Sequence, residues 1–225
     1  MKAVGWILNT DRRQGADSRQ FGILLVLMFA WMVALAVMEV YEAPGRLLSA
    51  SFAVIAVQAL LITARSGRER ALFLALGIFL FLDPLFVFPD LIELASAVVL
   101  GFFLVFIPIR LSTYVLEQTP VNANTVFGAL CAYLFMGLSF AVVYEVLIRH
   151  NPAAIATPGE GEPTFVTWVY FSFTTLTTLG YGDIAPRAYA TRMIAILEAL
   201  IGQIYLVVVV ARLVGTAMEK GRREE

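Results

Sequence analysis

The chain has 225 residues, of which 60% are hydrophobic and 15% charged, and its mean hydropathy is +0.83. These values lie well outside the range of soluble globular domains and mark an integral membrane protein. The formal net charge of -1 carries no signature of a nucleic-acid partner, and Cys131, the single cysteine, excludes an intrachain disulfide and any cysteine-built metal site.

Residues Met1 to Gln20 are polar and lack a small-residue cleavage site, so the first apolar run is expected to stay in place as a signal anchor. Apolar runs near the ~20 residues that a crossing helix needs lie at Phe21 to Val40, Leu47 to Ala64, Ala71 to Phe88, Leu91 to Ile109, Val126 to Ile148 and Ala188 to Val214. Helix-ending residues separate them, as in Tyr41-Glu42-Ala43-Pro44-Gly45-Arg46 and Phe88-Pro89-Asp90. Asp83-Pro84 interrupts the third run and is the weakest junction, because a proline there ends a helix early. Cys131 in the fifth run reads as a small apolar filler.

Arginine and lysine are distributed asymmetrically. Lys2, Arg12, Arg13 and Arg19 precede the first run, Arg65, Arg68 and Arg70 separate the second from the third, Arg110 follows the fourth, and Lys220, Arg222 and Arg223 end the chain. The alternate connections carry mainly Glu42, Asp90, Glu160 and Glu162, with Arg46 and Arg149 as the minority. By the positive-inside rule both termini are expected in the cytoplasm. Asp83 and Glu93 lie within about two turns of the outward junction at Phe88 to Asp90. They read as interface or capping acids, with a water-filled crevice inside the bundle as the alternative.

After the fifth run, His150 reads as a solvated loop residue and His150 to Pro163 as an outer loop. Thr164 to Thr177 is too short to cross a bilayer. It is a plausible re-entrant helix, with Glu162-Pro163 at its start, and its C-terminal end would favour a cation. Behind it comes Thr177-Thr178-Leu179-Gly180-Tyr181-Gly182-Asp183, a polar run caught between apolar stretches. Non-helical backbone survives at membrane depth only where protein buries it or where it lines a watery cavity. Two glycines around one tyrosine let the chain alternate between left- and right-handed conformations, so that successive carbonyls face one axis. Such a ring, with the Thr178 hydroxyl below it, can replace the water shell of a potassium ion.

This run resembles the Thr-Val-Gly-Tyr-Gly-Asp signature of the tetrameric potassium channel superfamily, with Leu179 in the valine's place. The resemblance covers roughly Val126 to Gly215. It implies an all-α membrane fold with a four-helix N-terminal bundle (residues 21–115) behind a cytoplasmic N-terminus (1–20). A pore domain (116–216) of outer helix, pore helix, selectivity filter and inner helix would follow, with a cytoplasmic tail (217–225). Potassium would bind at Thr178, Leu179, Gly180 and Tyr181, with Gly182 completing the filter and Thr174, Thr177, Asp183, Trp168 and Tyr170 supporting it. Trp168, Tyr170 and Phe171 would form an aromatic cuff, or an interfacial belt. Thr174 stands where some members carry a glutamate that pairs with the filter aspartate, so Asp183 needs another partner, Tyr170 or Trp168. One filter per chain implies a homotetramer.

The fourth run lacks the arginine ladder of a voltage sensor, whose work comes from charges moving through the field at about 2.3 kcal/mol per charge per 100 mV. Arg110 alone, at its end, reads as a snorkelling side chain, so the bundle is sensor-shaped but charge-poor. In the last run Gly202 reads as an inner-helix hinge or a close-packing contact. Gln203, Leu206 and Val210 share a stripe that would face the cavity, with Val210 narrowing its mouth. Glu198 is an acid at membrane depth. It would either bond the pore-helix threonines from behind or sense pH or cations.

The expected function is passive potassium conduction at the cell membrane, that of a bacterium by composition. The expected partners are lipids and three further copies of the chain, with no cofactor beyond the permeant ion. Only Thr216 to Glu225 follow the last run, so no soluble ligand-binding domain is expected. The alternatives are a weakly selective cation channel and a non-conducting scaffold or regulatory subunit. No nucleophile, base and metal-ligand cluster suggests an enzyme.

Overall fold

As far as they are described, the apolar runs of the sequence fold as helices in the computed structural model, which describes residues 19–41, 45–82, 90–118, 121–158 and 163–224. Lys2, Arg12, Arg13, Glu42, Asp83, Glu160 and Glu162 lie outside these residues, as do the side chains of Arg46, Asp90, Glu93, Lys220, Arg222 and Arg223. The long helices are α1 (Gln20–Val40), α2 (Gly45–Thr63), α3 (Gly67–Leu82), α4 (Asp90–Glu117), α5 (Ala123–His150) and α7 (Tyr189–Glu224), with the short α6 (Phe165–Leu176) before the last. Among the described residues four stretches are long and apolar enough to cross a membrane: Gln20–Val40, Leu100–Glu117, Ala123–His150 and Tyr189–Gly215. The chain is therefore a mostly helical membrane protein.

The described chain divides into two compact units, Met1–Ala34 with Ala43–Ala132 and Leu35–Glu42 with Tyr133–Glu225. In the first, α2 packs on α3 and α4. The α2–α3 approach is close because Gly77 has no side chain: a Cβ there would stand 1.9 Å from Val57 Cγ2. The start of α1 docks on the start of α5, where Phe21 N donates to Asn124 Oδ1 at 3.1 Å and the buried Cys131 Sγ lies 3.6 Å from the Phe21 carbonyl oxygen.

One sequence-based boundary needs correction in this unit. The fourth helix does not stop at Ile109 but runs through Pro108 to Glu117. Downstream of the proline, Ser112 Oγ donates to the Pro108 carbonyl at 2.6 Å. Arg110 consequently sits inside a helix and does not simply extend into solvent. Its Nη2 donates to Glu69 Oε2 at 2.9 Å and to the Thr63 carbonyl at 3.3 Å. Glu69 Oε2 also accepts the backbone N–H of Arg65 at 2.7 Å, and Arg65 pairs with Glu117.

In the second unit His150 is not a loop residue. It is the last residue of α5, exposed, with Nδ1 2.8 Å from the Val146 carbonyl oxygen. A basic pair, Arg149 and His150, at a helix C-terminus suits the dipole there. Asn151 then breaks the helix, and its side chain accepts the Ala153 N–H at 3.2 Å to start a single 3-10 turn, Pro152–Ala154. The helical fold also contains a two-residue antiparallel pairing, β1 (Ile155–Ala156) with β2 (Ala185–Pro186), in register Ile155 to Pro186. Beside it the Ala154 carbonyl accepts Arg187 N at 2.8 Å, Ala188 N at 3.1 Å and Thr191 Oγ1 at 2.9 Å. The loop before α6 is thereby tied to the segment that leads into α7.

Candidate ion-conduction site

Helix α6 begins one residue later than Thr164, which is its N-cap. Thr164 N–H donates to Thr167 Oγ1 at 3.3 Å, and Pro163 stands outside the helix. The helix ends at Leu176 because the backbone turns left-handed two residues on. Thr178 has φ of 59°, Gly180 51° and Gly182 83°, and Thr178 is the sole non-glycine residue with positive φ among the described residues. A left-handed φ costs an L-residue about 1–2 kcal/mol. Two of these three positions are filled by the residue that escapes the cost. Positive φ at every second residue is the alternation that turns consecutive carbonyls to one side.

The C-terminal turn of α6 holds the lower part of this segment. Thr178 N–H donates to the Thr175 carbonyl at 2.9 Å, and the Thr174 carbonyl accepts both Leu179 N at 2.8 Å and Gly180 N at 3.0 Å. These amides are therefore engaged on the helix side. Thr174 supports the run through its backbone, and its hydroxyl turns back to the Phe171 carbonyl at 3.0 Å. Thr175 and Thr177 do the same, to Phe171 at 2.8 Å and Phe173 at 2.6 Å. Leu179 and Tyr181 project from the segment, 56% and 68% exposed in the single chain.

At the upper end Tyr170 Oη donates to Asp183 Oδ2 at 2.7 Å. The bond holds the Asp183 carboxyl below its ordinary range and pushes the Tyr170 hydroxyl up, since each favours the charge state that keeps it. The Tyr170 ring stacks parallel to Tyr181 with centroids 6.3 Å apart. Of the other aromatic residues on α6, Trp168 and Phe171 are buried, and Phe171 meets Tyr144 edge-on at 4.7 Å.

Behind α6, the buried face of α7 carries Thr191, Glu198, Gly202 and Val209. A Cβ on Gly202 would lie 2.7 Å from Leu176 Cδ1 and 2.8 Å from the Leu176 carbonyl oxygen, so this glycine is a packing contact with the end of α6. Glu198 is fully buried and does not bond the threonines. Their hydroxyls are spent on their own helix, as threonine commonly does with the carbonyl four residues earlier. It accepts from Tyr144 Oη at 2.6 Å and lies 2.5 Å from Ser172 Oγ. Sequence reading missed Ser172 and Tyr144, and also Tyr133, whose hydroxyl donates to the Leu176 carbonyl at 3.1 Å. The available signal was polar pairing at depth: a buried acid in the last run needs donors, and tyrosines within the fifth run need acceptors. Gln203, Leu206 and Val210 lie together on an exposed face of α7.

The family model described as an ion channel matches residues 129–219. Protein LctB of Bacillus caldotenax is 39% identical over 88 residues, 36% of this chain and 64% of that protein. Protein LctB of Geobacillus stearothermophilus is 36% identical over 96 residues, 40% of this chain and 69% of that protein. The chain belongs to the LctB protein family. Its C-terminal part is similar to an ion-channel domain. The matched residues contain α6, the left-handed segment and the buried face of α7. The chain spans just under two thirds of the Bacillus caldotenax protein, and no solved structure matches it significantly.

Proposed function

We propose that the chain is the subunit of a potassium-selective channel in the cell membrane, passing ions down their gradient. The observation that carries this reading is the positive φ at Thr178, Gly180 and Gly182, set on the Thr174 carbonyl at the end of a short helix. Backbone of that kind presents the carbonyls of Thr178, Leu179, Gly180 and Tyr181 in a row, with Gly182 at the outer end. Stacked carbonyl rings are the chemistry that substitutes for a potassium ion's hydration shell. One segment per chain supplies a quarter of each ring, so four copies assemble around the axis.

The remaining organisation follows from the same reading. Six spans place both termini in the cytoplasm, with residues 21–115 as a charge-poor bundle and 116–216 as the pore domain. Gln203, Leu206 and Val210 line the cavity below the filter, and Val210 narrows its inner mouth. The deciding experiment is the reversal potential of purified protein in a planar bilayer with potassium on one side and sodium on the other. A value near the potassium equilibrium potential, lost in Gly180→Ala, supports the filter. A value near zero means a poorly selective pore, and silence in a correctly assembled tetramer means a scaffold.

A further inference from the structure

The buried cluster behind α6 does not have enough hydrogens if Glu198 is ionised. Ser172 Oγ lies 2.7 Å from the Gly137 carbonyl oxygen on α5 and 2.5 Å from Glu198 Oε1 on α7. A hydroxyl has one hydrogen, a carbonyl has none, and a carboxylate only accepts. With Glu198 ionised, Ser172 can satisfy one of its two neighbours and turns a lone pair on the other at hydrogen-bond distance. Ser172 and Glu198 are both fully buried, where such a mismatch is costly. A hydrogen on Oε1 removes it. Glu198 then donates to Ser172, Ser172 donates to Gly137, and Tyr144 donates to Oε2, each contact having its own hydrogen.

The surroundings agree with the hydrogen count. The groups facing the carboxyl are Ser172 from α6 and Tyr144 from α5, with the Tyr133 hydroxyl farther along α5 bonded to Leu176. Among the described residues no arginine or lysine pairs with Glu198. A buried carboxylate with no cation beside it is far costlier than the neutral acid, and a neutral acid can serve as a hydrogen-bond donor.

We propose that Glu198 is held as a neutral carboxylic acid whose hydrogen bond to Ser172 Oγ locks the pore helix to the Gly137 carbonyl, making Glu198 the positioning residue of that helix. Ser172 stands two residues before Thr174, whose carbonyl holds Leu179 and Gly180. Losing the proton would release α6 from α5 and loosen the seat of that segment. The effect on ion flow rests on the channel reading, whereas the protonation does not.

Infrared spectroscopy of the purified full chain in lipid separates the two. At neutral pH the wild type should show a protonated-carboxyl C=O stretch that is lost in Glu198→Gln and shifted in Ser172→Ala. If Glu198→Gln fails to fold, the shift in Ser172→Ala decides. Glutamine places an amide NH2 where the acid's O–H stands and a carbonyl acceptor at the other position, so Glu198→Gln should stay nearer the wild-type unfolding midpoint than Glu198→Ala, which should lower it, and should remove any loss of current at alkaline pH. Absence of the band from folded wild type, or a band indifferent to both substitutions, overturns the proposal. A band that behaves as expected in a protein that passes no potassium sinks the channel reading and leaves the neutral acid standing.

Discussion

Gly202 sits against the Leu176 carbonyl with no room for a methyl group, since a Cβ there would come within 2.8 Å of that oxygen. The contact joins the middle of α7 to the last residue of α6, immediately before the left-handed segment. Gly202→Ala should therefore push the two helices apart at about 1–3 kcal/mol, the usual range for an overpacked site, and lower the unfolding midpoint in detergent. A glycine needed only as a hinge would give altered opening with unchanged stability, and that result would count against the packing role.

Tyr170 and Asp183 make the outer counterpart of that contact. The hydrogen bond lowers the Asp183 carboxyl's affinity for protons in the folded state, so the stabilisation it gives is complete above the carboxyl's unfolded-state value and fades as pH falls through the lower folded one. Tyr170→Phe should thus be less stable than wild type at neutral pH, with the gap closing only in strong acid. Melting curves across an acid series would check it. A gap that persisted unchanged at the acid end would mean the phenol acts through packing and not through the carboxyl.

Much of this was legible in the sequence because apolar length and helix-breaking residues act locally. The described parts of the six long helices and α6 fall largely where hydropathy and junction chemistry put them, and Gly180 and Gly182 carry the signal of left-handed backbone. Illegible features depended on partners distant in sequence. Gly202 looked equally like a hinge until Leu176 was found against it, and Glu198 had no identifiable donor among several hydroxyls. Thr174, Thr175 and Thr177 looked available, but a helical threonine can satisfy itself on its own backbone, which left the role to Ser172. The end of α4 is not legible because the apolar run stops at Ile109 before the charged Arg110, although Arg110 and Ser112 engage Glu69 and the Pro108 carbonyl and the helix continues to Glu117.

Ala154 offers a third test. Its carbonyl collects Arg187 N, Ala188 N and the buried Thr191 hydroxyl, fastening the loop before α6 to the segment after the left-handed run. Thr191→Val keeps the shape and removes one donor, at a cost of about 1 kcal/mol. Amide hydrogen exchange at Arg187 and Ala188 should quicken in the variant while the α6 amides stay protected. Equal exchange in both proteins would show that the backbone donors suffice alone.

Arg110 is the one arginine in the α4 stretch that could cross a membrane field, and its engagement argues for anchoring. Its guanidinium is shared between Glu69 and the Thr63 carbonyl, and its side chain is 19% exposed. Leaving these partners would strand Glu69, which also holds the Arg65 amide. A part-exposed ion pair of this type contributes at most about 1 kcal/mol, so Arg110→Gln should slightly lower the stability of the first compact unit. Because the charge is tied at one place, the same substitution should leave the dependence of current on voltage as it was. A steep voltage dependence in the wild type that flattened in Arg110→Gln would show that this arginine moves through the field.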